Sequence, residues 1–142
     1  MFNPSQADVR RFFCETYRKL HAQEILTPLE AIASDWIRAH PEYEHSLRDL
    51  DTALASDYSV DAGQSNPFLH LSMHLSIAEQ ISVDQPQGVK PAFLALSRQL
   101  NSDHEAHHVI MECLGEMIWT AQRSGLPPDG QAYIEALRKR VR

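Results

Sequence analysis

The chain has 142 residues, of which 43% are hydrophobic, and this length and composition predict one globular domain over residues 1–142. The net charge is −6 at pH 7, and residues 21–120 carry 15 acidic against 4 basic side chains, which excludes nucleic acid as an expected partner. No apolar run reaches the roughly 18 residues that a membrane span needs, and two cysteines at apolar helical positions provide no disulfide framework, so we expect a soluble, cytoplasmic protein without a membrane partner.

Helix-capping signals divide the first half of the sequence. Thr27 and Glu30 form a capping-box pattern around Pro28, a residue favoured at the first position of a helix, and Pro41 disfavours helical geometry at His40. The predicted helices cover about residues 3–21, 28–39 and 41–58, and residues 59–66 are predicted to form a loop. The stripe predicted to be buried in the second helix consists of Leu29, Ile32, Ala33, Trp36 and Ile37.

Four further helices are predicted in the second half, over residues 67–82, 91–100, 103–124 and 128–140. Asn66 and Ser102 are suitable N-caps for two of them, and Gly125 fits the position that follows the end of the longest helix. No segment alternates with the two-residue period of a strand for long enough to predict a sheet. The sequence therefore predicts an all-α protein, a single-domain bundle of six to seven helices.

Two pairs of histidines, each spaced four residues apart, are the main indication of function. His70 and His74 occur near the start of the fourth predicted helix, and His104 and His108 near the start of the sixth. Side chains four residues apart lie above one another, so both imidazoles of a pair can reach one metal ion. Because one helix separates the two, short connections would make the histidine helices parallel and bring both pairs to about the same height. The spacing predicts a metal site between these helices, for zinc, iron, nickel or copper.

Glu112 follows His108 by one further helical turn. It lies about 12 Å from His104 along the helix axis, too far for both to bind one ion, but it can be a ligand beside His108 or accept a hydrogen bond from a bound imidazole. The same polar stripe also fits a metal-free interaction or structural module, in which it forms a buried hydrogen-bond network or the contact of a homodimer. The sequence identifies no substrate and leaves open whether the protein is an enzyme.

The string HEAHH at residues 104–108 matches the His-Glu-x-x-His motif of zinc peptidases, in which Glu105 would be the general base. Glu105 also follows Ser102 by three residues, the spacing at which a capping box requires a glutamate. A peptidase further needs a third ligand from outside the first turns of this helix, and the predicted all-α fold lacks a sheet on which such enzymes bind substrate. A zinc-dependent hydrolase is therefore the less favoured alternative.

Two longer strings resemble a known family. NPFLHLSMHL at residues 66–75 and HVIMECLGE at residues 108–116 are similar to motifs of small bacterial helical proteins that are known only as a domain of unknown function. MFNPS at the amino terminus and DYSV at residues 57–60 fit the same pattern, so the resemblance covers nearly the whole chain. It implies membership of that family, and it implies no activity, substrate or cofactor.

Overall fold

The computed structural model of the protein describes residues 5–56, 58 and 66–142. These residues form eight α-helices and a 3-10 turn at Pro41–Tyr43, and they contain no strand, which confirms the all-α class but exceeds the predicted six to seven helices. None of these helices combines the length and the apolar character needed to span a membrane. Apart from Asn66, the predicted loop over residues 59–66 lies outside the described residues. The helices are α1 (Gln6–Ala22), α2 (Pro28–Arg38), α3 (Glu44–Leu47), α4 (Leu50–Ala55), α5 (Pro67–Val83), α6 (Val89–Leu100), α7 (Asp103–Ser124) and α8 (Gly130–Arg140).

The additional helix arises where one continuous charged helix was predicted over residues 41–58. Asp49 separates α3 from α4 and is the N-cap of α4, with an extended backbone at φ −134° and ψ 107°. Its carboxylate accepts hydrogen bonds from the backbone N–H of Asp51 at 3.1 Å and from the hydroxyl of Thr52 at 2.7 Å. Such local side-chain bonds compete with helical ones, so the chain starts a new helix here and the predicted continuous helix is wrong.

Contacts divide the chain into two compact units, Met1–Leu75 and Ser76–Arg142. The first unit contains α1 to α4 and the first part of α5, and the second contains the rest of α5 and α6 to α8. A single domain over residues 1–142 stays a prediction.

The core of the first unit forms where α1 packs against α2 and α4. Arg10 of α1 is buried as well, and its Nη1 donates to the carbonyls of Ala53 at 2.8 Å and Ser56 at 3.0 Å. These bonds satisfy carbonyl groups at the end of α4 that have no partner within the helix. The buried apolar side chains of this core are Phe13, Cys14, Ala33, Ile37, Leu47, Ala53, Phe68 and Leu71.

α2 buries only part of the predicted stripe, because Ala33 and Ile37 lie in the core and Trp36 packs against it. Leu29 and Ile32 are 53% and 42% exposed, so their predicted burial is wrong. The buried face instead includes Glu30, whose carboxylate accepts hydrogen bonds from the N–H of Thr27 at 2.9 Å and from Nζ of Lys19 at 3.1 Å. Because these bonds satisfy the carboxylate, the Glu30 side chain of the capping box can be buried.

In the second unit α7 packs against both α6 and α8. The predicted cap residues of α7 are confirmed, because Ser102 Oγ accepts a hydrogen bond from the N–H of Glu105 at 3.0 Å and Gly125 has a φ of 73° that favours glycine. The capping box suggested for Glu105 is wrong, because the N–H of Ser102 donates to the carbonyl of Ser97 at 3.2 Å. Cys113, like Cys14 of the first unit, is a free, buried cysteine. The buried apolar side chains from α6 to α8 are Val89, Ala92, Leu96, Ala106, Ile110, Cys113, Leu114, Tyr133, Ile134 and Leu137.

Candidate metal-binding histidines

The start of α5 brings His70 and His74 together, as their spacing predicts. Asn66 caps the helix, because its Oδ1 accepts hydrogen bonds from the N–H groups of Phe68 and Leu69, both at 3.1 Å. The Nε2 atoms of His70 and His74 lie 3.1 Å apart, and the two ring centroids lie 4.7 Å apart. His74 is fully buried at 0% exposure, whereas His70 is half-buried. The pair therefore presents two ring nitrogens to one place inside the first unit.

A third histidine of the first unit, His40, joins this pair. Its Nε2 lies 3.1 Å from Nε2 of His70, and its ring centroid lies 4.9 Å from that of His74. The side chain is 2% exposed. In the sequence His40 is notable only as the residue that precedes Pro41, and it has no second histidine at helical spacing. Proximity to residues thirty or more positions away has no local sequence signal, and this is why the residue was missed.

The hydrogen bond of His40 to the backbone defines which of its nitrogens can bind a ligand. His40 Nδ1 lies 2.7 Å from the carbonyl oxygen of Trp36. A carbonyl oxygen only accepts hydrogen bonds, so Nδ1 carries the proton and donates, and in the neutral ring Nε2 is then the unprotonated nitrogen. This nitrogen faces His70, because Nε2 of His40 contacts Nε2 of His70. Metal-binding histidines commonly have this arrangement, with the second ring nitrogen donating to a backbone carbonyl.

Two aromatic residues pack flat against the buried imidazoles. The indole of Trp36 stacks on His74 with ring centroids 4.1 Å apart and an interplanar angle of 9°. Tyr43, in the 3-10 turn after α2, stacks on His40 at 5.1 Å with an angle of 3°. These contacts restrict the two imidazoles to planes set by the end of α2 and the turn that follows it.

α7 holds the second predicted pair, His104 and His108. Their ring centroids lie 4.5 Å apart and both side chains are half-buried. His108 Nδ1 lies 3.9 Å from Oε1 of Glu105, beyond the range of a hydrogen bond, and the Glu105 side chain is 63% exposed. The N–H of Glu105 donates to Ser102 Oγ at the helix cap. A role for the Glu105 carboxylate as a general base stays a prediction.

His107, between these two, is a core residue. It is 3% exposed, and its ring packs edge-on against Phe93 at a centroid distance of 5.5 Å and an angle of 84°. Burial lowers the pKa of His107 to about 4, although the nearby carboxylate of Asp103 acts in the opposite direction. The ring is therefore neutral at neutral pH.

Glu112 lies in an ion pair on the surface of the second unit. Its Oε2 accepts a hydrogen bond from Nη1 of Arg140 at 3.0 Å, and the two side chains are 65% and 46% exposed. This partner on α8 was not expected from the sequence, which placed Glu112 beside His108. A role for Glu112 in metal binding stays a prediction.

Each of His40, His74, His104 and His108 offers one ring nitrogen as a potential metal ligand. Neutral imidazoles are borderline ligands that suit zinc, copper, nickel and iron, and they are poor ligands for magnesium and calcium. The described residues therefore include histidines that could hold a metal ion, and they provide nitrogen rather than carboxylate or thiolate donors.

A family model described as a domain of unknown function, DUF1841, matches residues 5–139 of the chain. No curated protein and no solved structure matches it. The match extends over both compact units and agrees with the resemblance found in the sequence strings. The description of the family names no activity, ligand or partner.

Proposed function

Because the chain belongs to the family of the domain of unknown function DUF1841, whose description states no activity, we propose a function from the histidines themselves: the protein binds a divalent transition-metal ion. The proposed ligands are His40, His74, His104 and His108, each of which offers one ring nitrogen. His70, which contacts both buried histidines of the first unit, is a fifth candidate ligand. The location expected from the sequence, between helices 67–82 and 103–124, stays a prediction.

The observation that carries the proposal is the spacing of three ring nitrogens within the first unit. Nε2 of His70 lies 3.1 Å from Nε2 of His40 and 3.1 Å from Nε2 of His74. Two nitrogens bound to one zinc ion at roughly 2.0–2.1 Å are about 3.3 Å apart in a tetrahedral site and about 2.9 Å apart at a right angle. Both observed separations lie between these values, so His70 has with each of its two neighbours the nitrogen spacing of two ligands on one ion.

The chemistry of the donors supports a transition metal. Imidazoles carry no charge when they bind, so the ion would keep its double positive charge and would attract an anionic or water ligand at any remaining position. The burial of His40 and His74 keeps these donors out of bulk water. Both features are compatible with zinc, iron, nickel or copper, and metal analysis decides among them.

The test is elemental analysis of protein purified without an affinity tag. Wild type is compared with the H74A/H108A variant and with H21A/H45A, a matched control that removes two exposed histidines. We expect about one ion per chain in the wild type and the control, and a loss of metal in H74A/H108A. Absence of metal from all three proteins, together with no thermal shift on addition of zinc, nickel, copper or ferrous iron, would contradict the proposal.

A metal-free function has one observation in its favour. The separations of 3.1 Å between imidazole nitrogens are also hydrogen-bond distances, so His40, His70 and His74 can form a buried network in a structural or interaction module. In that case H74A/H108A lowers the melting temperature, whereas metal content and the response to added metal are the same in this variant as in the wild type. The same set of proteins therefore distinguishes the two functions.

A further inference from the structure

We propose that Trp36 positions the buried histidines of the site, with its side chain orienting His74 and its backbone orienting His40. This inference rests on the metal-binding function proposed above. Trp36 lies in the last turn of α2 and precedes His40 by four residues, so one residue contacts both imidazoles from the same helix end. Nothing in the sequence pattern assigned it more than a place in the buried stripe.

The indole of Trp36 restricts the orientation of the His74 ring. Rotation about the bond between Cβ and the ring of a histidine is soft, with broad minima. A parallel indole at a centroid distance of 4.1 Å and an angle of 9° blocks rotation of the imidazole out of its plane on that side. Because Nε2 lies in the ring plane, the stack keeps this nitrogen directed at His70, from which it is 3.1 Å away.

The carbonyl oxygen of Trp36 has the complementary effect on His40. It accepts the hydrogen bond from Nδ1 at 2.7 Å, which selects the tautomer that is unprotonated at Nε2. Loss of a group that orients a ligating histidine, such as one that accepts a hydrogen bond from its other ring nitrogen, typically lowers metal affinity by about 10- to 100-fold. Substitution of the side chain leaves the carbonyl in place, so variants at this position test the orientation of His74 alone.

Cobalt(II) is the probe for the first part of the test, because its visible absorption reports ligand geometry. Cobalt(II) affinity and spectrum are measured for wild type, W36F, W36L and W36M. W36F keeps a ring that can stack, and it should bind within about threefold of wild type with a similar spectrum. W36L and W36M lose the flat contact, and they should bind about 10- to 100-fold more weakly with a changed spectrum.

Tryptophan fluorescence gives a second readout, because the chain has two tryptophans. Trp119 is 57% exposed on α7, and the guanidinium of Arg123 lies 4.9 Å from its ring. In W119F the remaining indole is the one stacked on His74, so cobalt(II) should quench its emission at the concentrations that saturate the absorption change. In W36F the same additions should leave the emission of Trp119 nearly unchanged.

The outcomes separate the inference from the function on which it rests. If wild type, W36L and W36M bind cobalt(II) equally and with the same spectrum, the positioning role is overturned and metal binding stands. If wild type binds no metal, both are overturned. Should W36L fail to fold, as judged by its thermal transition, W36M carries the same comparison, because methionine fills the space without a flat face. Weaker binding by both with no rescue in W36F would also overturn the role of stacking.

Discussion

Nε2 of His40 lies 3.1 Å from Nε2 of His70, although the two residues are 30 positions apart in the sequence. The contact joins the residue that precedes the 3-10 turn after α2 to the first turn of α5. Because His40 Nδ1 donates to the carbonyl of Trp36, the facing nitrogen of His40 is the one with the lone pair. His40 Nε2, a nitrogen that can bind a metal ion, therefore lies next to the predicted pair on α5.

Substitution of His40 by asparagine separates the hydrogen bond to Trp36 from the proposed role of Nε2 as a metal ligand. In H40N the amide nitrogen takes about the place of Nδ1 and can still donate to the carbonyl of Trp36, which accepts at 2.7 Å in the wild type. The variant lacks a group at Nε2, so we expect at least a tenfold loss of zinc affinity with a folded protein. Competition with a coloured chelator measures the affinity. H45A, which removes an exposed histidine, is the control, and equal zinc affinity in H40N and wild type would exclude His40 as a ligand.

Substitution of Glu112 tests whether its carboxylate is a metal ligand or only the partner of Arg140 in an ion pair. Its carboxylate is 65% exposed and accepts from Arg140 at 3.0 Å. Exposed ion pairs contribute little, so we expect E112Q to change the free energy of unfolding by less than about 1 kcal/mol and to leave metal content unchanged. Chemical denaturation and elemental analysis measure the two quantities. R140Q is the matched variant, since it breaks the pair without touching a carboxylate, and a loss of metal in E112Q alone would identify Glu112 as a ligand.

The hydrogen bonds of the Glu30 carboxylate predict that the free energy of unfolding falls in acid. The hydrogen bond from the N–H of Thr27, with the contact to Lys19, lowers the pKa of Glu30 below its usual value of 4.5. The unfolded chain therefore takes up a proton at higher pH than the folded protein, and the stabilisation present above about pH 4.5 is lost as the pH falls through the folded pKa. Denaturation of wild type and E30Q across pH 3 to 7 should show the difference between them shrinking in acid. A difference that does not depend on pH would contradict this explanation.

The helices could be predicted from the sequence because their signals are local. α7 begins after Ser102 and ends before Gly125, as predicted, and the side chain of Asn66 caps α5. These signals depend on bonds between residues a few positions apart. The continuous helix over residues 41–58 was wrong for a related reason, because the bonds of Asp49 to its neighbours compete with the helix, and periodicity alone does not measure that competition.

The sequence by itself determined the all-α class, both ends of α7 and the two histidine pairs, because all of these follow from local signals and from spacings of three and four residues. Only the tertiary structure decided that His40 joins the pair on α5, that Trp36 stacks on His74, and that Glu112 pairs with Arg140. Each of these contacts links residues that are far apart in the sequence. Their separation in sequence carries no periodic signal, since packing rather than backbone geometry brings them together.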